Sequence, residues 1–312
     1  LSQSLRIATI DIGTNSVLLL IVEGNAQRGF NVLEERCTIT RIGKGVDQTG
    51  LLADDRVEHT LEILREYVDA INGYGVNTIS AIGTSALRDA SNGAQFLKRA
   101  KSLLGIAVEI VSGAKEARLI LAGVRSSFPS LDHRSLVFDI GGGSTEFIVP
   151  DESEDSPQVI SLNIGTVRLT ERHIETDPPE RVELNRLEKA IDAALAKLPT
   201  SFSTGDKKLV GVAGTVTTLA AISLAMEDYD SERINGVELS LADIEEMSER
   251  LITLPLHERK IIPGLMPERA DVIVSGAILT AAILRFFNVN HCQVCDRGVR
   301  WGAIQEAGTR AH

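Results

Sequence analysis

The chain has 312 residues, 43% of them hydrophobic, 24% charged and 4% aromatic, with a formal net charge of −11. That length exceeds what a single core usually serves, so two domains are expected. An acidic balance with no basic run or stripe excludes a nucleic acid polymer as partner, while a local cluster of donors could still bind a smaller polyanion. The apolar content is mostly Ile, Leu, Val and Ala, which suits buried strands covered by helices and an α/β class. The three cysteines, Cys37, Cys292 and Cys295, are an odd, unevenly spaced set. They point to a reducing compartment, and the Cys292–Cys295 pair reads as structural because one pair does not close a zinc site.

The first apolar run, from Ile7, breaks at Asp11, so no signal peptide is expected. It reads as a buried strand ending in Asp11-Ile-Gly13-Thr-Asn15-Ser16, followed by strands over Val17 to Val22 and Phe30 to Arg36. Val57, Leu61, Leu64 and Val68 fall on one face of a helix over Asp54 to Ile71. A strand then ends in Gly83-Thr84-Ser85-Ala86, and Ile110-Val-Ser-Gly113 turns a later strand into a helix that carries Glu116. Ser, Pro, Asp and His cluster near 126–134 and mark a boundary, giving domains over 1–128 and 129–312.

The second part repeats the order. Leu136 to Asp139 leads into Asp139-Ile-Gly141-Gly142-Gly143-Ser144-Thr145, followed by strands over Glu146 to Val149 and Gln158 to Asn163 and a helix over Pro179 to Leu198. A strand ends in Gly214-Thr215-Val-Thr217, and Ile273-Val-Ser-Gly276 matches Ile110 to Gly113 as the last strand-to-helix turn. Asp139 lies 128 residues after Asp11, Gly214 lies 131 after Gly83, and the last pair is offset by 163. The chain is therefore an internal duplication, with an insertion in the second copy between Ala225 and Glu268. The run Val272 to Leu284 is too short to span a membrane, so no membrane partner is expected and the protein is read as cytoplasmic.

Gly13 lets backbone N–H groups turn toward an anion while Asn15 and Ser16 add donors, and the Gly141 to Ser144 loop repeats the device. A carboxylate beside such a loop suits a Mg²⁺–phosphate complex, since Mg²⁺ takes oxygen ligands. Thr84 with Ser85, and Gly214 with Thr215, place free N–H groups at helix starts, and Arg88 follows Thr84 by one turn. Helix capping and a solvated Arg are the plain readings of the same residues. Glu116 reads as a helix-dipole partner or as a base for water, and Glu146 as a solvated strand residue or a holder of metal or water.

Taken together, these strings resemble the exopolyphosphatase and guanosine pentaphosphatase (Ppx/GppA) family, within the actin, Hsp70 and sugar-kinase superfamily. The matches are Asp11 to Ser16, Gly83 to Arg88, Ser112 to Ile120, Asp139 to Glu146, Gly214 to Leu219 and Glu268 to Ile273. The resemblance implies two duplicated ribonuclease-H-like domains facing across a cleft, in the family's short form, with the last helix a candidate to pack back on the first domain. It implies Glu116 as catalytic base, aided by Glu146, and Asp139, Asp11 and Glu146 as carboxylates for Mg²⁺ or another divalent cation. Gly13, Asn15, Ser16, Thr84, Ser85, Arg88, Gly141, Gly142, Gly143, Ser144, Gly214, Thr215 and Arg269 would bind phosphate. The implied partners are short polyphosphate or guanosine penta- and tetraphosphate, as in a stringent response, and a homodimer is compatible. Rival readings are a non-catalytic sensor of the same ligands and an ATP-dependent kinase. Two departures stand out: Leu18 where the family often has His or Arg, and Arg300-Trp301-Gly302 in place of Arg-Glu-Gly. Trp301 reads as packing for the last helix.

Overall fold

A computed structural model describes residues 5–25, 29–151, 157–203 and 207–310. The chain opens with β1 (Leu5–Ile12), β2 (Ser16–Asn25), β3 (Gly29–Ile39), α1 (Val46–Thr49) and α2 (Asp54–Gly73). It continues with β4 (Thr78–Gly83), α3 (Ser85–Asp89), α4 (Gly93–Leu104), β5 (Val108–Ile110) and α5 (Gly113–Arg125). The next stretch holds β6 (Ser135–Ile140), β7 (Thr145–Val149), β8 (Gln158–Leu162), α6 (Thr166–His173), α7 (Arg181–Leu195) and α8 (Thr200–Ser203). Then come β9 (Lys208–Val212), α9 (Ala213–Ser223), α10 (Ser231–Ile234), β10 (Glu238–Ser240), α11 (Leu241–Thr253) and α12 (Leu256–Arg259). A 3₁₀ turn over Pro267–Arg269 precedes α13 (Ile273–Phe286), β11 (His291–Val294) and α14 (Val299–Arg310).

Two compact units result: residues 1–123 with 299–312, and residues 124–298. Each is built on one mixed sheet. The first sheet has the order β3-β2-β1-β4-β5, and the second β8-β7-β6-β9-β11-β10. In both, three antiparallel strands are followed by two parallel ones, and β10 adds an antiparallel edge to the second. Central β1 and β6 read as near-continuous apolar runs because their neighbours leave them little solvent.

Both faces of the first sheet are covered. Ala8, Ile10, Ile12, Val17, Leu19 and Ile21 meet Leu61, Leu64 and Tyr67 of α2 and Phe96 of α4. Asp54 and Asp55 in the first turn of α2 complement its dipole, and its apolar stripe does the rest. On the other face Ile7, Leu20 and Val22 pack against Trp301 and Ile304 of α14, so the tryptophan does pack the last helix. In the second unit Leu136, Phe138 and Phe147 share one core with Leu187 of α7, Leu219 of α9 and Leu279 of α13.

One expected equivalence is corrected. Ile273 to Gly276 lie inside α13, not at a strand-to-helix turn. The counterpart of β5 is β11, which runs parallel to β9 as β5 does to β4. Cys295 N–H donates to the Gly211 carbonyl at 2.9 Å, as Val111 N–H does to Gly83 at 3.1 Å. The reason is that α13 is buried from Ile273 through Ala281, so its apolar run carries no period that separates helix from strand. The thiols of Cys292 and Cys295 lie in this β11 segment, and burial pushes both up to about 12.

Candidate active site

In the first unit the turn after β1 is closed by Gly13 N–H donating to the Ser16 carbonyl at 2.9 Å. Thr14 and Asn15 are held from outside: their carbonyls accept from Gly43 and Arg41 N–H, each at 2.9 Å. The Thr14 and Ser85 hydroxyls hydrogen-bond to each other at 2.9 Å, which joins this turn to the start of α3. Thr84, the residue before α3, donates its N–H to the Ile12 carbonyl at 3.2 Å. Gly13, Asn15, Ser16, Thr84 and Ser85 are thus brought together. Asn15 is 6% exposed, and its side-chain amide atoms, like Asp11 Oδ1, have no hydrogen-bond partner. Buried polar atoms left in that condition are rare and call for water or a ligand. Burial raises the Asp11 carboxyl to about 6 against the opposing pull of Arg300.

Glu116 sits in the first turn of α5 at 8% exposure, its N–H bonded to the Ser112 carbonyl at 2.9 Å. Arg88 Nη1 lies 3.8 Å from Glu116 Oε2 and donates to the Val111 carbonyl at 3.1 Å. The sequence-predicted base and the sequence-predicted phosphate guanidinium are therefore neighbours.

The second unit repeats the turn, with Gly141 N–H donating to the Ser144 carbonyl at 3.0 Å. Here the loop is pinned by the start of α6. Gly141 O accepts from Thr166 N–H at 3.0 Å, Gly142 O from Val167 N–H at 2.9 Å, and Gly143 O from Arg168 Nε at 2.8 Å. A Cβ on Gly165 would meet the Gly142 backbone at 2.5 Å, so this close approach requires glycine. With the carbonyls engaged on α6, the loop's remaining N–H groups are the part available to an anion.

Asp139 and Glu146 stand directly opposite each other on β6 and β7, at 8% and 2% exposure. Directly opposed residues of an antiparallel pair project from the same face about 4.5–5.5 Å apart at Cβ. Glu146 Oε1 accepts from Ser161 Oγ of β8 at 2.7 Å. In the first unit the position opposite Asp11 is Leu18, so only the second copy presents a carboxylate pair. Gly214 lies in the first turn of α9, where a Cβ would come within 2.2 Å of Arg269 Nη1, so the guanidinium rests on the bare glycine. The Thr215 hydroxyl donates to the Ile140 carbonyl at 3.2 Å and ties α9 to β6.

The model of the Ppx/GppA phosphatase family matches residues 20–310. This chain belongs to the Ppx/GppA phosphatase family. It is 33% identical over 292 residues to exopolyphosphatase 2 of Mycobacterium tuberculosis, covering 90% of each chain. Among solved structures it resembles an exopolyphosphatase from Cytophaga hutchinsonii, with a TM-score of 0.88, 30% identity and 98% of each chain covered. It also resembles the Aquifex aeolicus Ppx/GppA family member, with a TM-score of 0.82, 32% identity and 99% of each chain covered. The chain thus has the two-domain actin-like fold of a hydrolase family.

Among the described residues no group of three or more His, Cys, Asp or Glu is placed to hold a metal ion. The pair Asp139 and Glu146 fits Mg²⁺, which takes one or two carboxylates and fills its remaining positions with water and phosphate oxygens. No helix among the described residues is long and apolar enough to cross a membrane. Sequence reasoning did not single out Ser161, Gly165 or Arg168. Their roles depend on strand register and on a long-range approach of α6, and no local motif encodes either.

Proposed function

We propose that this chain is a phosphohydrolase that releases the terminal phosphate of inorganic polyphosphate, with pppGpp as a second substrate class. The observation that carries the reading is that each unit buries carboxylate near a turn rich in N–H and hydroxyl donors, Glu116 in the first and Asp139 with Glu146 in the second. Burying three carboxylates is costly unless a partner or a function maintains it. The relative in Mycobacterium tuberculosis carries the name exopolyphosphatase, which supports the polymer as first choice.

In this mechanism Glu116 accepts the proton of the attacking water. Arg88, beside it, orients the Glu116 carboxylate and offers its remaining N–H groups to a phosphoryl oxygen. Gly13, Gly141 and Thr84 commit their own N–H groups to Ser16, Ser144 and Ile12, so the donors to oxygens on which charge develops would be the remaining N–H and hydroxyl groups of the two turns and of the start of α3. Asp139 and Glu146 would hold Mg²⁺ or another divalent cation, which when bound neutralises phosphate charge. Asp11, near the end of β1 with Leu18 as its register partner, would be a further carboxylate for the cation, and Arg269 would meet a more distal phosphate.

The test is phosphate release with Mg²⁺ from short polyphosphate, long polyphosphate and pppGpp, with Glu116→Gln in parallel. Release abolished by the substitution supports the hydrolase, and the ratio of rates names the substrate. Leu18, apolar opposite Asp11, favours one rival, a non-catalytic binder. Tight binding of these ligands with no release in Mg²⁺ would establish that rival and overturn the hydrolase.

A further inference from the structure

We infer that Ser161 is a positioning residue that holds the Glu146 carboxylate in place for a divalent cation; this rests on the reading of Asp139 and Glu146 given above. Glu146 stands opposite Asp139 on one side and opposite Ser161 on the other. The three polar side chains therefore form a single line across β6, β7 and β8, on one face of the sheet. Alternate positions on the same strands, Phe138, Phe147 and Ile160, project to the other face and join the core there.

Within this line the hydroxyl of Ser161 donates to Glu146 Oε1 at 2.7 Å. Glu146 is 2% exposed, whereas Ser161 is exposed on β8, the last strand of the sheet. An exposed serine meets its own hydrogen-bonding needs in water, so this bond is not demanded by Ser161. It does more for Glu146, whose side chain has three rotatable bonds and gains a fixed rotamer from a donor mounted on a strand. A metal ligand of that length depends on such outer partners for its orientation, and losing one typically weakens metal affinity or activity about 10- to 100-fold.

The duplication supplies an internal comparison. At the same register the first unit has Asp11, Leu18 and Cys37 on β1, β2 and β3. Where the middle carboxylate is absent, the hydroxyl beside it is absent too. The donor occurs only in the copy that has a carboxylate to hold.

The experiment is a Mn²⁺ titration of the full chain without substrate, read by electron paramagnetic resonance, on wild type, Ser161→Ala, Ser161→Thr and Glu146→Gln. Circular dichroism would verify that each variant folds, which the exposed position of Ser161 on β8 favours for its two variants and the near-equal volume of Gln favours for Glu146→Gln. We expect Ser161→Ala to weaken Mn²⁺ binding about tenfold or more. Ser161→Thr, which keeps the hydroxyl on a β-favouring side chain, should restore it. In turnover, Ser161→Ala should raise the Mg²⁺ concentration needed while kcat at saturating Mg²⁺ stays near wild type. Wild-type Mn²⁺ affinity in Ser161→Ala, with binding lost in Glu146→Gln, overturns the role of Ser161 and leaves the cation pair standing. Unchanged binding in Glu146→Gln, or no binding by wild type, overturns the cation pair itself and the inference with it.

Discussion

Gly302 in α14 is the position where a single methyl group should do most damage. A Cβ there would lie 1.9 Å from the Leu119 carbonyl oxygen, 2.5 Å from its carbon and 2.7 Å from its Cα. All three are backbone atoms of α5, so no flexible side chain can give way. Ordinary contact begins near 3.4 Å, and α14 must therefore withdraw from α5 by about 1.5 Å. In an open helix Gly→Ala gains up to about 1 kcal/mol. Overpacking of this kind costs about 1–3 kcal/mol, and a clash with backbone belongs at the upper end, for a net loss of about 2 kcal/mol. The shift also lifts Trp301 and Ile304 from Ile7, Leu20 and Val22. It disturbs α5 one turn from Glu116, where a misplacement of about 1 Å can cost about 10²-fold in rate. The assay is urea denaturation and phosphate release for Gly302→Ala beside Gly73→Ala, whose added Cβ meets nothing within 4 Å. The control should be neutral or slightly stabilised. A Gly302→Ala protein with the wild-type urea midpoint and turnover would refute the argument.

Glu116→Gln should leave the chain folded, with a single cooperative urea transition, and lower turnover by about 10² or more, as measured by phosphate release. Glu183 is held down to about 2, first by the Thr176 hydroxyl and then by the N–H groups of Glu180, Glu175 and Thr176. Its contribution to stability is present above the ordinary carboxylate value and is lost as pH falls from about 4.5 toward 2. Glu183→Gln should therefore flatten the acid limb of a stability–pH curve in that window, and an unchanged limb would contradict the assignment. Cys37 is exposed, whereas Cys292 and Cys295 are buried with thiols pushed up to about 12. Alkylation at neutral pH should label Cys37 in the native protein and all three thiols only in denaturant.

The duplication was legible because the two turns keep their chemistry and their spacing. Gly13 bonding to Ser16 and Gly141 bonding to Ser144 are the same turn 128 residues apart. The helices over 54–71 and 179–198 were legible from periodicity and appear as α2 and α7. The string Ile273 to Gly276 misled because four residues matched while their surroundings did not. Ile273 starts a helix buried without a break through Ala281, and the true counterpart β11 is a four-residue strand with no repeated string. Asp139 and Glu146 were each visible as carboxylates seven residues apart. That they oppose each other, with Ser161 third in line, follows from register, which hairpin geometry fixes and composition does not.

The first unit is not contiguous in sequence: residues 124–298 are interposed before the chain supplies α14. The apolar row Ile7, Leu20 and Val22 is made early, yet its cover, Trp301 and Ile304, follows about 280 residues later. At ribosomal rates of roughly 5–20 residues per second, that row stays uncovered for on the order of tens of seconds. The later unit can complete its own core while the earlier one still waits for its last helix. The larger core of the first unit, where Leu61, Leu64 and Phe96 meet the sheet, contains no residue of α14 and need not wait, so the face of β1 and β2 that carries Ile7, Leu20 and Val22 is the part of that unit left open while the rest of the chain is made.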